Sequence, residues 1–210
     1  MAHDRRACCF AYGRYSATTV VAGADIGDTT FDVADATNWA TGRQAFCSES
    51  GGTETEYEWL GKVTDVDGTT MTITHGLTAA KSANWKVWTA TYAVETSYPP
   101  SSFSSVPDPG VEDGQLLSGR YYPTQTRGSS VIWTLGWEAL PSADVVNYRV
   151  LIPYLGAARC VQIAIWELEA AAPAVAWVQL LLPDPAYAPI DRDQMPLTVR
   201  AQYLSAVYQA

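Results

Sequence analysis

Val63-Thr64-Asp65-Val66-Asp67-Gly68-Thr69-Thr70-Met71-Thr72-Ile73-Thr74 is the stretch that decides the fold. Two β-prone runs flank Asp67-Gly68, and Asp-Gly is a strong hairpin signal because Gly accepts positive φ without steric cost. Met71 and Ile73 alternate with threonines, giving one face to a core and the other to water. The same pattern extends outward. Upstream, the turn pair Gly27-Asp28 precedes the alternating run Thr29-Thr30-Phe31-Asp32-Val33. Thr53 to Lys62 sets Glu54, Glu56 and Glu58 on one strand face and Thr55, Tyr57 and Trp59 on the other. Downstream, Trp85-Lys86-Val87-Trp88-Thr89-Ala90-Thr91-Tyr92 reads as a further strand. Residues 17–95 are therefore expected to form a small β-domain of barrel or sandwich type, without a helix.

Beyond it the composition changes. Residues 96–130 carry Pro99-Pro100, Ser101-Ser102, Ser104-Ser105, Pro107 and Pro109-Gly110. Proline fixes φ and removes donors, so this stretch is expected to be a stiff connecting arm over a surface, its own or a neighbour's. Residues 131–210 are expected to form a second, sandwich-like β region. Val131, Trp133, Leu135 and Trp137 share a strand face there, and Val161–Glu169, Ala174–Leu182 and Leu197–Tyr208 read as strands. Ser142 as N-cap and Asp144 in the first turn predict one short helix near 142–152, with Pro153 discouraging its continuation. Residues 1–16, aromatic and unpatterned around Cys8-Cys9-Phe10 to Tyr15, are expected to be an N-terminal arm ordered by a partner. The predicted class is thus mainly β: two small barrel or sandwich regions, a Pro/Ser-rich arm and one helix in the C-terminal region.

Charged residues are 17% of the chain, the net charge is −9, and eight Trp are present. Few charges and many aromatics predict a neutral surface that expects a partner. Lysines and arginines are scattered, with no run longer than Arg5-Arg6, which argues against nucleic acid and anionic membranes. No stretch approaches the roughly 20 apolar residues of a membrane span. Met1 to Tyr15 lacks the apolar region of a secretory signal, so a soluble intracellular start is expected. Cys8, Cys9, Cys47 and Cys160 do not have zinc-site spacing and read as small buried hydrophobes.

The constellations that could carry chemistry are weak. Glu54, Glu56 and Glu58, with Asp65 and Asp67, could serve as acid–base carboxylates, but a solvated strand face and a hairpin turn account for them better. Asp65-x-Asp67-Gly68 begins like a calcium loop and then lacks its later ligands. His3 and His75 are the only histidines, and His75-Gly76 reads as an exposed turn at a strand end. No nucleophile elbow, zinc helix, phosphate loop or dinucleotide fingerprint occurs. No catalytic residue, cofactor or metal is expected. Trp85 and Trp88, three apart on a strand, face opposite sides, so one could be an exposed platform that stacks on a sugar.

Two stretches resemble virion proteins of tailed phages. Gly27 to Val33, Asp67 to Leu77 and Ala79-Ala80-Lys81-Ser82-Ala83 are similar to a small β-domain of tail and fibre-adaptor proteins, with His75-Gly76-Leu77-Thr78 in place of that family's Gly-rich tail. Trp133-Thr134-Leu135-Gly136-Trp137-Glu138-Ala139-Leu140-Pro141-Ser142-Ala143-Asp144 resembles the strand and short helix of distal tail proteins, which form a ring at the tail tip. The resemblance implies a tail-tip or connector ring subunit, located in the virion. It would associate with itself and with other tail proteins, without nucleic acid or a membrane span. The alternative is a carbohydrate- or receptor-binding module of a tail, with a host-surface glycan as partner. The expected interface residues are Phe10, Tyr12, Tyr15, Tyr98, Phe103, Tyr121 and Tyr122, with Trp85 and Trp88 as exposed aromatics.

Overall fold

The computed structural model describes residues 8–48, 57–108, 111–115, 121–125, 130–154, 160–165, 174–181 and 194–205. In chain order the strands are β1 (Cys8–Thr19), β2 (Thr30–Asp32), β3 (Gln44–Ser48), β4 (Tyr57–Asp67), β5 (Thr70–Ile73) and β6 (Lys86–Thr96). They continue with β7 (Ser102–Asp108), β8 (Val111–Gln115), β9 (Tyr121–Gln125) and β10 (Ser130–Pro141). Helix α1 (Ser142–Tyr154) precedes β11 (Cys160–Ile165), β12 (Ala174–Leu181) and β13 (Gln194–Ser205). The protein is mainly β with one helix in its C-terminal region, as its sequence predicts. One 11-stranded antiparallel sheet has the order β2-β5-β4-β3-β6-β1-β11-β12-β13-β10-β7, and β8 and β9 form a two-stranded sheet.

The Asp-Gly hairpin forms as read. Asp67 pairs with Thr70, so Gly68-Thr69 is the two-residue loop, with Gly68 at φ 61°. The β2–β5 pair sets Phe31 opposite Met71, and both enter a core with Val33, Leu60, Ile73 and Val87. Strand β4 carries a bulge: Ala45 pairs with Gly61 and Phe46 with Trp59, leaving Leu60 as the extra residue. Gly61 sits there at φ 75°, and a Cβ would collide with Thr74 Oγ1 and the His75 ring.

The largest departure from expectation is residues 8–19. Instead of an arm awaiting a partner, they form β1 in the middle of the sheet, paired with β6 along their whole length and with β11 over Cys8 to Ala11. The physical reason is burial on both faces. Cys8 and Phe10 join the C-terminal core, whereas Cys9 and Ala11 join a cluster with Phe46, Trp59, Trp88 and Ala164. A strand covered on both faces reads as a continuous apolar run and loses the alternation that would reveal it.

The predicted connecting arm is also mostly strand. Residues 102–108 pair with β10 as the last strand of the sheet, and 111–115 pair with 121–125. Serines at alternate positions suit a strand with no layer over it, and Pro107 is tolerated because an edge strand needs no donor on its outer side. Helix α1 turns Val145, Tyr148 and Leu151 into the C-terminal core with Leu135, Trp137 and Ile163. Its first turn is tied down by Asp144 Oδ2, which accepts from the Ser97 amide at 2.8 Å.

Candidate interaction surface

The predicted interface aromatics separate into two groups. Phe10 is fully buried and packs edge-on to Tyr148 at 5.0 Å, so it belongs to the core. Tyr12 is half-buried against the same core. Tyr15 is exposed, and the Arg43 guanidinium lies 3.8 Å from its ring centre. Of the second group, Tyr98 and Phe103 lie at the β7 edge. Tyr98 is 57% exposed on the approach to β7, while its carbonyl accepts from Trp137 Nε1 at 3.0 Å. Phe103 is 40% exposed and meets Trp133 edge-on at 5.5 Å. Tyr121 and Tyr122 lie in β9, and their side chains are outside the described residues.

Trp85 and Trp88 are not platforms. Trp85 is 8% exposed and donates to Ser82 Oγ at 3.1 Å. Trp88 is 1% exposed, stacked on Phe46 at 6.1 Å, with the Arg14 guanidinium 4.2 Å from its ring centre. They do face opposite sides, but both sides are packed, so neither ring is available to a sugar.

The β7 edge is a surface in its own right. Ser102 to Pro107 are all exposed although they pair with β10, so no layer covers either face. Charge does not protect this edge, because Asp108 is the only charged residue of β7. Val106, 57% exposed, adds an apolar side chain. The β8–β9 ribbon follows this edge: two residues separate β7 from β8 and four separate β9 from β10. Among the described residues β8 and β9 pair only with each other.

A cleft of about 610 Å³ opens elsewhere, lined by six consecutive residues of β6, Ala90 to Glu95, with Arg43, Gln44, Lys62 and Asn147 around it. It lies beyond the start of β3, where the β3–β6 ladder of Ala45–Thr89 to Ser48–Lys86 gives way to residues 41–44 along the cleft wall. Its polar wall is built outward from the core. Trp59 Nε1 donates to Gln44 Oε1 at 2.8 Å, and Gln44 Nε2 donates to Glu95 Oε2 at 2.9 Å. Lys62 Nζ lies 2.9 Å from the same oxygen. Arg43 Nη1 reaches the Ala90 carbonyl at 3.5 Å. None of Arg43, Gln44, Lys62, Glu95 or Asn147 was singled out by sequence. They come from separate elements, and no spacing links them.

The carboxylates considered for chemistry do not assemble. Glu58 is not on a solvated face: it is buried, 2.5 Å from Lys81 Nζ, and its Oε1 accepts from the Thr78 amide and from Thr78 Oγ1 at 2.8 Å. Asp65 and Asp67 are exposed at the hairpin end of β4. Glu54 and Glu56 lie outside the described residues, as does His3. His75 is not an exposed turn residue but is buried edge-on to Trp59 at 4.7 Å. Among the described residues no group of three potential metal ligands forms. Cys8, Cys9 and Cys47 are buried free thiols, and burial pushes all three up from the usual thiol range. No helix among the described residues is long and apolar enough to cross a membrane.

No protein-family model and no curated protein sequence matches the chain.

Proposed function

We propose that this chain is a structural component of a tailed-phage virion, a tail-tip or connector ring subunit that joins its neighbours by non-covalent contacts. The observation that carries the reading is the β7 edge with the β8–β9 ribbon beyond it: an uncovered strand bearing exposed Phe103 and Val106, next to a ribbon paired only with itself among the described residues. Uncharged exposed edges are templates for pairing with another chain, and a long-lived protein covers them with a partner. The wide antiparallel sheet supplies the rigid body that such a contact needs. Repetition round a ring would multiply contacts that are individually weak.

The test is the mass of the purified chain by light scattering across a concentration series, with and without other tail proteins. A fixed subunit number, or assembly when a tail protein is added, supports the reading. A monomer that ignores tail proteins and binds a glycan overturns it in favour of a receptor-binding module. The burial of Trp85 and Trp88 has already removed the stacking platforms that module was expected to use.

A further inference from the structure

We propose that the cleft of about 610 Å³ beside β6 binds a carboxylated sugar, with Arg43 taking the carboxylate and Glu95 and Asn147 taking hydroxyls. The site is separate from the β7 edge, so it stands whether or not the ring-subunit reading holds.

Arg43 is the first observation. Its half-buried guanidinium lies 3.8 Å from the Tyr15 ring centre, and Nη1 reaches the Ala90 carbonyl at 3.5 Å. Neither contact neutralises it. In a chain of net charge −9, no carboxylate pairs with Arg43 among the described residues. The backbone is shaped for the Tyr15 contact. The β1–β6 register shifts between Arg14 and Ser16, so Tyr15 is the extra residue of a bulge, and a bulge re-aims a side chain. A guanidinium held on one face by a ring and at one nitrogen by a carbonyl keeps its remaining N–H groups for a carboxylate.

The second observation is a hydrogen-bonded chain that runs from the core to the cleft. Trp59 donates to Gln44, and Gln44 donates to Glu95 Oε2. Trp59 and Gln44 are 1% and 4% exposed, so this wall is fixed before any ligand arrives. Lys62 Nζ meets the same Oε2, and Glu95 Oε1 has no partner among the described residues. Oε1 is therefore an acceptor held in place for a hydroxyl. Asn147, exposed on α1, adds an amide that both donates and accepts.

The third is the balance of the lining. Arg43 and Lys62 against Glu95 leave one positive charge, which suits a monoanion. A phosphate ester would bring a second negative charge beside Glu95 with no cation to meet it. From α1 the cleft takes Asn147, past the first turn, so it is not built on a helix N-terminus. Apolar lining is confined to Ala90, Ala93 and Val94, and Val94 is buried, which leaves no pocket for a hydrocarbon chain or a base. One carboxylate with several hydroxyls matches this lining, and the volume falls in the small-ligand range of roughly 300–1,000 Å³.

The test titrates the full chain with D-galacturonate and N-acetylneuraminate by calorimetry and saturation-transfer NMR, with glucose and acetate as controls. At least one acid is expected to bind saturably, and the preferred one separates a uronic from a sialic source. Glucose lacks the carboxylate and acetate lacks the hydroxyls, so each should bind about tenfold or more weakly than the preferred acid. Arg43→Ala should lose about tenfold or more in affinity for that acid, with circular dichroism and thermal melting to confirm that it is folded. Asn147→Ala, at an exposed helix position outside the Gln44–Glu95 network, should weaken binding severalfold and serves if Arg43→Ala does not fold. Acetate binding as tightly as the sugar acid would mean a simple anion site and overturn the proposal. Undiminished binding by both variants, or no saturable binding of either acid, overturns it as well. A monomer that ignores tail proteins and binds the acid would leave this site standing and remove the ring reading, and an assembling chain that binds neither acid would do the reverse.

Discussion

Breaking the Glu58–Lys81 pair from one side should cost far more than removing it from both. The two side chains are only 7% and 4% exposed, and their charged atoms lie 2.5 Å apart. Glu58 also accepts two hydrogen bonds from Thr78, and Lys81 Nζ lies 4.3 Å from the centre of the Trp85 ring. At the backbone, Lys81 exchanges hydrogen bonds with Ala24 at 2.8 and 2.9 Å, so the pair pins the 74–85 loop against the 20–24 segment. In Lys81→Met the Glu58 carboxylate is left buried and without its countercharge, and in Glu58→Gln the same happens to the ammonium. Truncating one side of a buried pair costs about 3–5 kcal/mol, because an uncompensated charge stays in a low-dielectric site. For a chain of this size each kcal/mol moves the melting point by about 2–4 °C, so either single variant should melt roughly 6–20 °C lower. Replacing both, as Glu58→Leu/Lys81→Met, removes the charges together, and the double variant should recover most of that loss. Urea unfolding of the four proteins closes the double-mutant cycle. Single-variant losses under about 1 kcal/mol would mean that the pair behaves as a solvated one and would refute the argument from burial.

Gly61→Ala should destabilise by about 1–3 kcal/mol from the left-handed backbone alone, with the collision against Thr74 and His75 added, and equilibrium urea unfolding will read the total. Trp88→Ala should cost about 3–5 kcal/mol by emptying the cluster it shares with Phe46 and Trp59, whereas Tyr15→Ala, at an exposed ring, should cost under about 1 kcal/mol. Cys8, Cys9 and Cys47 should resist alkylation in the native protein at pH 8 and react in denaturant, as read by mass spectrometry of the labelled peptides. Their raised native pKa values mean that the folded state holds protons the unfolded state releases, so stability is intact below about pH 8.5 and falls above it. With three such thiols the slope reaches about 4 kcal/mol per pH unit, and Cys→Ala at each position should flatten it.

Local signals were legible where one strand face is wet. Asp67-Gly68, the Thr/Met and Thr/Ile alternation of β5, and Ser142 with Asp144 at the helix start each place their element to within a few residues. Legibility failed where both faces are dry. Cys8-Cys9-Phe10-Ala11 and the Trp59-Leu60 pair have no polar beat because each successive side chain enters a different cluster. Trp85 and Trp88 were misread as exposed for the same reason: opposite faces of a strand imply one wet side only if the sheet has one. Glu58 was assigned to a solvated face because its spacing matched Glu54 and Glu56, and its partner Lys81 is too distant in sequence for periodicity to reveal. The cleft was invisible because it lies where the β3–β6 ladder stops at Ala45 and Thr89, a property of pairing and not of any residue run.

The joint between the two halves changes what the protein can do as a building block. Two domains on a proline-rich tether would be free to reorient, and a ring made of them would owe its geometry to its neighbours. Here β1 and β6 run through both halves as one ribbon, with Cys8 opposite Thr96 at one end and Thr19 opposite Lys86 at the other. The first four residues of β1 alternate between the C-terminal core and the Phe46–Trp59–Trp88 cluster, so displacing one half would strip side chains from the other. The direction of the β7 edge is therefore set within a single subunit by the ladder. In the proposed ring that direction constrains the rotation from one copy to the next, and with it whether the ring closes.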